Sequence, residues 1–156
     1  MNRQPRDYLL TKPKIFGIIS RMNPIRKTIR KIYFAHPSSI NYAELYEAIL
    51  NSAELRPYEF FLPHKEDGGG ADSSDIIRSS DLFIAEVSAP STGLGIEMGR
   101  AEAGGIPILV LSKAGARVST CFDFIHPTPE KRVYADPLDM AAKISEYLSG
   151  SALSGL

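Results

Sequence analysis

The sequence is poor in residues that form disulfides and metal sites: it contains one cysteine, Cys121, three histidines and no tryptophan. A single cysteine excludes an intramolecular disulfide and is compatible with a reducing compartment, so we expect a cytoplasmic protein. The histidines show no metal-ligand spacing, and no zinc site is predicted. No apolar run approaches the ~20 residues that a membrane span requires. These absences favour an ordinary globular protein that needs no membrane.

Charge is distributed unevenly along the chain, although the formal net charge is zero. Residues 1–30 contain eight Lys or Arg and one acidic residue, a net charge of +7, and the remainder carries −7. We interpret residues 1–30 as a basic, partly disordered extension. Nucleic-acid binding is not favoured, because this extension has few interleaved aromatic residues. The Ser- and Gly-rich residues 150–156 are predicted to be a flexible tail.

Residues 31–149 alternate between short apolar runs and amphipathic segments. The pattern predicts strands near residues 31–36, 58–62, 82–85, 106–111 and 131–135, and helices near 42–54, 74–80, 95–103 and 138–148. Strands that alternate with helices form parallel sheets with right-handed crossovers. We therefore predict a single α/β domain, doubly wound and flavodoxin- or Rossmann-like, with about five parallel strands.

Two acidic residues flank the central strand of this prediction. Asp81 opens the apolar run of residues 82–85, and Glu97 follows the next turn, in the first turn of a helix that begins near Gly95. Ligands of open α/β sheets bind in the crevice outside the carboxyl ends of the strands. We expect Glu97 to lie at the mouth of this crevice and Asp81, which enters the strand, to share the same cleft.

The glycines around Glu97 allow other interpretations. Gly93, Gly95 and Gly99 suggest the dinucleotide-binding fingerprint, but Met98 stands where that pattern needs a glycine. Gly93 and Gly95 more plausibly let the backbone approach a ligand closely, with the helix N-terminus facing an anion. Taken alone, Glu97 is also explained as an acid that complements the helix dipole.

The segment from Ala85 to Gly99 reads A-E-V-S-x-P-S-x-G-x-G-x-E-x-G and follows Asp81 by four residues. This motif resembles the nucleoside 2-deoxyribosyltransferase superfamily, which includes the 2′-deoxynucleoside 5′-phosphate N-hydrolases. The likeness extends from Tyr33 to about Leu148. It implies that Glu97 is the nucleophile on the sugar C1′, that Asp81 assists near the leaving base, and that Tyr33 orients Glu97. It also implies a homodimer, and neither a metal nor an organic cofactor.

The resemblance further implies a phosphate-binding pocket and a contact to the base. Ser91, six residues before Glu97, is a hydroxyl donor at a position where some transferases carry an aspartate, and a carboxylate there would repel a phosphate. The other residues implied to bind phosphate or substrate are Gly93, Gly95, Ser38, Ser39, Arg117 and Ser119 or Thr120. His64 is implied to lie on the base side.

The predicted function is hydrolysis of the N-glycosidic bond of (deoxy)ribonucleoside 5′-monophosphates through a glycosyl ester of Glu97. Chemically this follows the logic of retaining glycosidases, in which a carboxylate attacks the anomeric carbon. A nucleoside 2-deoxyribosyltransferase that exchanges bases is the alternative. A non-catalytic nucleotide-sensing domain is a third interpretation.

Overall fold

The computed structural model describes residues 28–63 and 73–153 of the chain. Most of the predicted basic extension, His64, and residues 154–156 of the predicted tail lie outside the described residues. The described part contains β1 (Lys31–Ala35), α1 (Tyr42–Asn51), β2 (Glu59–Phe61), α2 (Ser74–Ser79), β3 (Leu82–Glu86), α3 (Thr92–Ala103), β4 (Ile108–Lys113), β5 (Glu130–Tyr134) and α4 (Pro137–Leu153).

The five strands form one sheet in the order β2-β1-β3-β4-β5, and every neighbouring pair is parallel. The predicted doubly wound α/β fold is therefore confirmed. The chain leaves β1 towards one edge of the sheet and β3 towards the other, so the order reverses between these two strands. This reversal opens a crevice at their carboxyl ends.

The sheet is covered by helices on both faces, because the side chains of each strand alternate between two hydrophobic clusters. On β1, Ile32 and Phe34 pack in a cluster with α1 and α4. Tyr33 and Ala35 pack in the second cluster, which includes Leu94 and other apolar residues of α2 and α3. All five residues of β3 are buried, as expected of a central parallel strand. We call these surfaces the α1/α4 face and the α2/α3 face.

Helix α3 begins at Thr92, three residues before the predicted start near Gly95. The cause is Ser91, whose side-chain oxygen accepts a hydrogen bond from the backbone N–H of Leu94 and so caps the helix earlier. Glu97 consequently lies in the second turn of α3, and the prediction of a first-turn position is wrong. A short 3₁₀ turn, Thr120–Phe124, also forms between β4 and β5, where no helix was predicted.

The buried residues of the strands contribute stabilising apolar contact, which a pair of leucine variants tests. Leu109 on β4 is 0% exposed, whereas Leu138 at the start of α4 is 75% exposed. Leu109→Ala should lower the free energy of unfolding by about 2–5 kcal/mol. Leu138→Ala should change it by less than about 0.5 kcal/mol. Urea denaturation measures both, and equal losses would contradict the described packing.

Candidate active site

Tyr33 is held in the middle of the sheet by two aromatic neighbours. It pairs in register with Phe61 of β2 and with Phe83 of β3, and all three side chains point towards the α2/α3 face. Its ring stacks on the Phe61 ring at 5.2 Å between centroids and on the Phe83 ring at 5.3 Å. This sandwich fixes the ring of a tyrosine that is 0% exposed, so the direction of its hydroxyl is determined by the strand.

The Tyr33 hydroxyl donates a hydrogen bond of 2.7 Å to Oε1 of Glu97. Glu97 is only partly buried, unlike the fully buried Tyr33. The favourable effect of a helix dipole on an acid is confined to the first turn, and Glu97 lies beyond it. The position of Glu97 is therefore explained by its contact with Tyr33 rather than by the dipole.

A second hydroxyl, that of Ser73, donates to the same oxygen of Glu97 at 3.1 Å. Ser73 precedes α2 in the N-cap position, yet its side chain makes no capping hydrogen bond. The sequence predicts only a cap at this position, because a serine before a helix is typical of one. No local signal distinguishes the two roles, since the contact depends on how α2 packs against α3.

The protonation of Tyr33 is settled by its surroundings. Burial raises the pKa of the Tyr33 phenol well above its usual range, and the neighbouring Glu97 carboxylate raises it further, while the Ser73 hydroxyl opposes the shift. Tyr33 therefore stays protonated and acts as the donor, and Glu97 is the acceptor.

The predicted place of Asp81 beside Glu97 is wrong. The Asp81 carboxylate accepts hydrogen bonds of 3.0 and 2.9 Å from the backbone N–H groups of Arg30 and Lys31, where β1 begins. Parallel strands all begin at one edge of the sheet, and β3 rises about 16 Å from Asp81 to its carboxyl end. Asp81 therefore ties together the starts of two strands, at the edge opposite the crevice.

This structural role of Asp81 predicts a loss of stability. Asp81→Ala should lower the free energy of unfolding by about 1–2 kcal/mol, because two backbone donors lose a charged acceptor. Asp75→Ala is the control, since Asp75 is 94% exposed and its ion pair among the described residues is with Arg78 on its own helix. Denaturant unfolding compares the two. An Asp81 variant as stable as the Asp75 variant would contradict the assignment.

A buried carboxylate fixes the loop between β3 and α3. Glu86, at the end of β3, is 0% exposed and accepts a hydrogen bond of 2.9 Å from the hydroxyl of Tyr134 on β5. It also accepts from the backbone N–H and the hydroxyl of Ser88. The Ser88 hydroxyl oxygen in turn accepts from the backbone N–H of Lys113 at 2.7 Å. The loop that leads to α3 is thereby attached to the ends of β4 and β5.

Tyr134 resembles Tyr33 in its titration, because burial raises the pKa of its phenol and the charge of Glu86 raises it further. Below pH ~10, both phenols keep their protons in the folded and the unfolded chain, and their contribution to stability is fully present. Above this pH, the unfolded chain releases protons that the folded chain retains. Stability therefore falls as pH rises, by about 1.4 kcal/mol per pH unit for each tyrosine.

We expect the free energy of unfolding, measured by denaturant titration in alkaline buffers, to decline with this slope in the native sequence. Tyr33→Phe should reduce the slope of this decline by about 1.4 kcal/mol per pH unit, the contribution of one tyrosine. Tyr134→Phe should reduce the slope by the same amount. A decline that is unchanged in both variants would contradict the two raised pKa values.

The predicted substrate-binding residues at the start of α3 make no hydrogen bond to the Glu97 carboxylate, and Gly93 and Gly95 are exposed. Ser91 is the cap of α3, and its hydroxyl oxygen lies 3.2 Å from the backbone nitrogen of Leu94. A Cβ placed on Gly95 would meet no protein atom within 4 Å, and one on Gly93 would meet only the Ser91 hydroxyl at 4.0 Å. The packing within this chain thus does not require glycine at either position.

The remaining predicted residues lie in loops that follow strands. Ser38 and Ser39 form an exposed turn after β1. Ser119, Thr120 and Arg117 are exposed in the segment after β4, where Ser119 caps the 3₁₀ turn. Among the described residues, no hydrogen bond joins any of these five to the Tyr33–Ser73–Glu97 cluster.

Two further features are absent from the described residues. No group of three or more His, Cys, Asp or Glu residues in the described part of the chain could hold a metal ion. Within the same residues, no helix combines the length and the hydropathy that a bilayer crossing needs.

Similar sequences are found among curated proteins, although no family model matches the chain. Two relatives carry the provisional name 2′-deoxynucleoside 5′-phosphate N-hydrolase 1. The protein from Syntrophotalea carbinolica is 58% identical over 40 residues, which is 26% of this chain and 28% of the relative. The protein from Methanosarcina barkeri is 35% identical over 77 residues, which is 47% of this chain and 46% of the relative. The chain thus matches less than half the length of either relative.

Solved structures share the fold at low identity. The CMP N-glycosidase of Clostridium botulinum superposes with a TM-score of 0.56 at 21% identity, covering 74% of this chain and 98% of that one. A conserved protein from Enterococcus faecalis gives a TM-score of 0.57 at 19% identity, covering 76% of this chain and 99% of that one. These likenesses establish the architecture. The curated relatives confirm that the chain resembles the nucleoside 2-deoxyribosyltransferase superfamily, and within it the 2′-deoxynucleoside 5′-phosphate N-hydrolases.

Proposed function

We propose that this protein is an enzyme that hydrolyses the N-glycosidic bond of (deoxy)ribonucleoside 5′-monophosphates. The observation that carries the proposal is Glu97, a partly buried residue whose carboxylate is held on one oxygen by Tyr33 and Ser73. A carboxylate oriented in this way can act as a nucleophile on a sugar carbon. The names of the curated relatives support the nucleotide as the substrate class.

The reaction proceeds in two halves. In the first half, a lone pair of Glu97 Oε2 forms a bond to C1′, and the C1′–N bond breaks with its electron pair leaving on the base, which takes up a proton. In the second half, the oxygen of a water molecule bonds to C1′ as the C1′–Oε2 bond breaks. The electron pair of the broken bond returns to Glu97, and the water releases a proton. The products are free base and sugar 5-phosphate.

Binding of the 5′-phosphate is assigned to the start of α3. Ser91 accepts a hydrogen bond from Leu94, but its own O–H finds no acceptor among the described residues and can donate to a phosphate. The N-terminus of a helix also favours an anion. Gly93 and Gly95 leave room beside it. Ser38, Ser39, Arg117, Ser119 and Thr120 remain proposed donors from the neighbouring loops, and the base-side contact of His64 stays a prediction.

The nucleophile is tested by a matched pair of glutamate variants. Glu97→Gln keeps the shape and a hydrogen-bond acceptor but removes the attacking charge. It should reduce base release from a panel of nucleoside 5′-monophosphates, followed by chromatography, at least about 1,000-fold. Glu47→Gln, the same change at an exposed position of α1, should retain full activity. Base release that survives in Glu97→Gln would overturn the proposal.

The same panel separates the other interpretations. A second free base is added to the mixture, because in a transferase this base attacks the Glu97 ester. If the exchanged nucleoside forms faster than the hydrolysis product, the protein is a transferase instead. Tight nucleotide binding without turnover would assign a sensing domain.

A homodimer also stays a proposal. Sedimentation velocity at micromolar concentration should give the mass of two chains.

A further inference from the structure

We propose that Ser73 is a positioning residue that accelerates the second half of the reaction, in which the sugar phosphate leaves Glu97. This inference rests on the proposed function of Glu97. In this proposal, the Ser73 hydroxyl determines how long the glycosyl ester of Glu97 persists between the two halves of the reaction. In a nucleotide hydrolase, a short-lived ester favours release to water over capture by a second base.

The geometry shows that Ser73 acts on one specific oxygen. Both donors, the Tyr33 hydroxyl at 2.7 Å and the Ser73 hydroxyl at 3.1 Å, are directed at Oε1 of Glu97. Oε2 accepts no hydrogen bond from the described residues and is the oxygen free to attack. Oε1 therefore remains bound to its two donors throughout, while Oε2 gains and loses the bond to the sugar.

The charge on Oε1 changes between the two states of Glu97. In the free enzyme it belongs to an anionic carboxylate, and in the ester it becomes a neutral carbonyl oxygen. Hydrogen bonds to an ionised acceptor are roughly twice as strong as those to a neutral one. The Ser73 hydrogen bond therefore stabilises the carboxylate more than the ester. Its energy is recovered as the C1′–Oε2 bond breaks, which lowers the barrier of that step.

Ser73 can be separated from Tyr33 because the two donors are held differently. Tyr33 is locked by its aromatic stack in the sheet and continues to orient Glu97 when Ser73 is changed. The Ser73 side chain makes no capping bond, so removing its hydroxyl does not uncap α2. Loss of this group should thus alter the chemistry of Glu97 without displacing it.

Rapid-quench kinetics on the full chain test the inference, with base release and protein mass followed on the same substrate. Ser73→Ala should show a burst of base release near one equivalent and then a steady-state rate several-fold, and at most about tenfold, below that of the native sequence. During the steady state, mass spectrometry should find most of the protein carrying one sugar phosphate. Ser73→Thr, which retains the hydroxyl, should restore the native rate and abolish the adduct.

Ser79→Ala is the matched control, because Ser79 lies on the same helix and its hydroxyl donates to the backbone carbonyl of Ile76. It should behave as the native sequence. Ser73→Cys, with a weak donor of similar size, provides the same measurement if the alanine variant does not fold.

Two outcomes in Ser73→Ala or Ser73→Cys would overturn the role of Ser73 alone. One is turnover at the native rate, and the other is a burst and a steady state that are slowed equally, with no adduct. Failure of the native sequence to release any base would instead overturn the proposed function, so the two failures are distinguishable.

Discussion

The hydrogen bond between the Tyr33 hydroxyl and the Glu97 carboxylate is the contact on which the site depends. It joins the centre of the sheet to a helix on one of its faces, and each end is fixed by a different kind of packing. The phenylalanines on either side of Tyr33 hold the donor, and apolar residues of α3 such as Leu94 and Met98 hold the helix that carries the acceptor. A nucleophilic carboxylate needs such restraint, because reaction requires the attacking oxygen at a defined distance and angle.

The sheet separates two acids with structural roles from Glu97. Asp81 links the starts of β1 and β3, and Glu86 is buried at the carboxyl end of β3 among hydroxyl and amide donors. The negative charge of each carboxylate is compensated by hydrogen bonds from backbone or hydroxyl groups that hold the fold together. Glu97 differs from both, because it receives two hydroxyl donors on one oxygen and none from the described residues on the other.

The prediction that placed Asp81 beside Glu97 was wrong for a simple physical reason. Its sequence distance from the motif suggested a second catalytic acid, but a residue that precedes a parallel strand lies at the edge away from the crevice. The direction of the strand alone determines this position of Asp81, so it could have been predicted from the sequence. The position of α3 is a different case. The earlier start at Thr92 required the Ser91 side chain to turn back onto Leu94, a local choice that several neighbouring residues of the same loop could also have made.

The sequence by itself determined the alternation of strands and helices and the parallel sheet, because periodicity is a property of consecutive residues. The candidate pair of Tyr33 and Glu97 was implied by the resemblance of the motif to a known family. Only the tertiary structure decided that Ser73 joins this pair and that Asp81 does not. Residues 24 positions apart in the chain meet through the packing of α2 against α3, and no pattern within either helix records that contact. Whether a hydroxyl caps its own helix or holds a carboxylate on the next is settled by that packing.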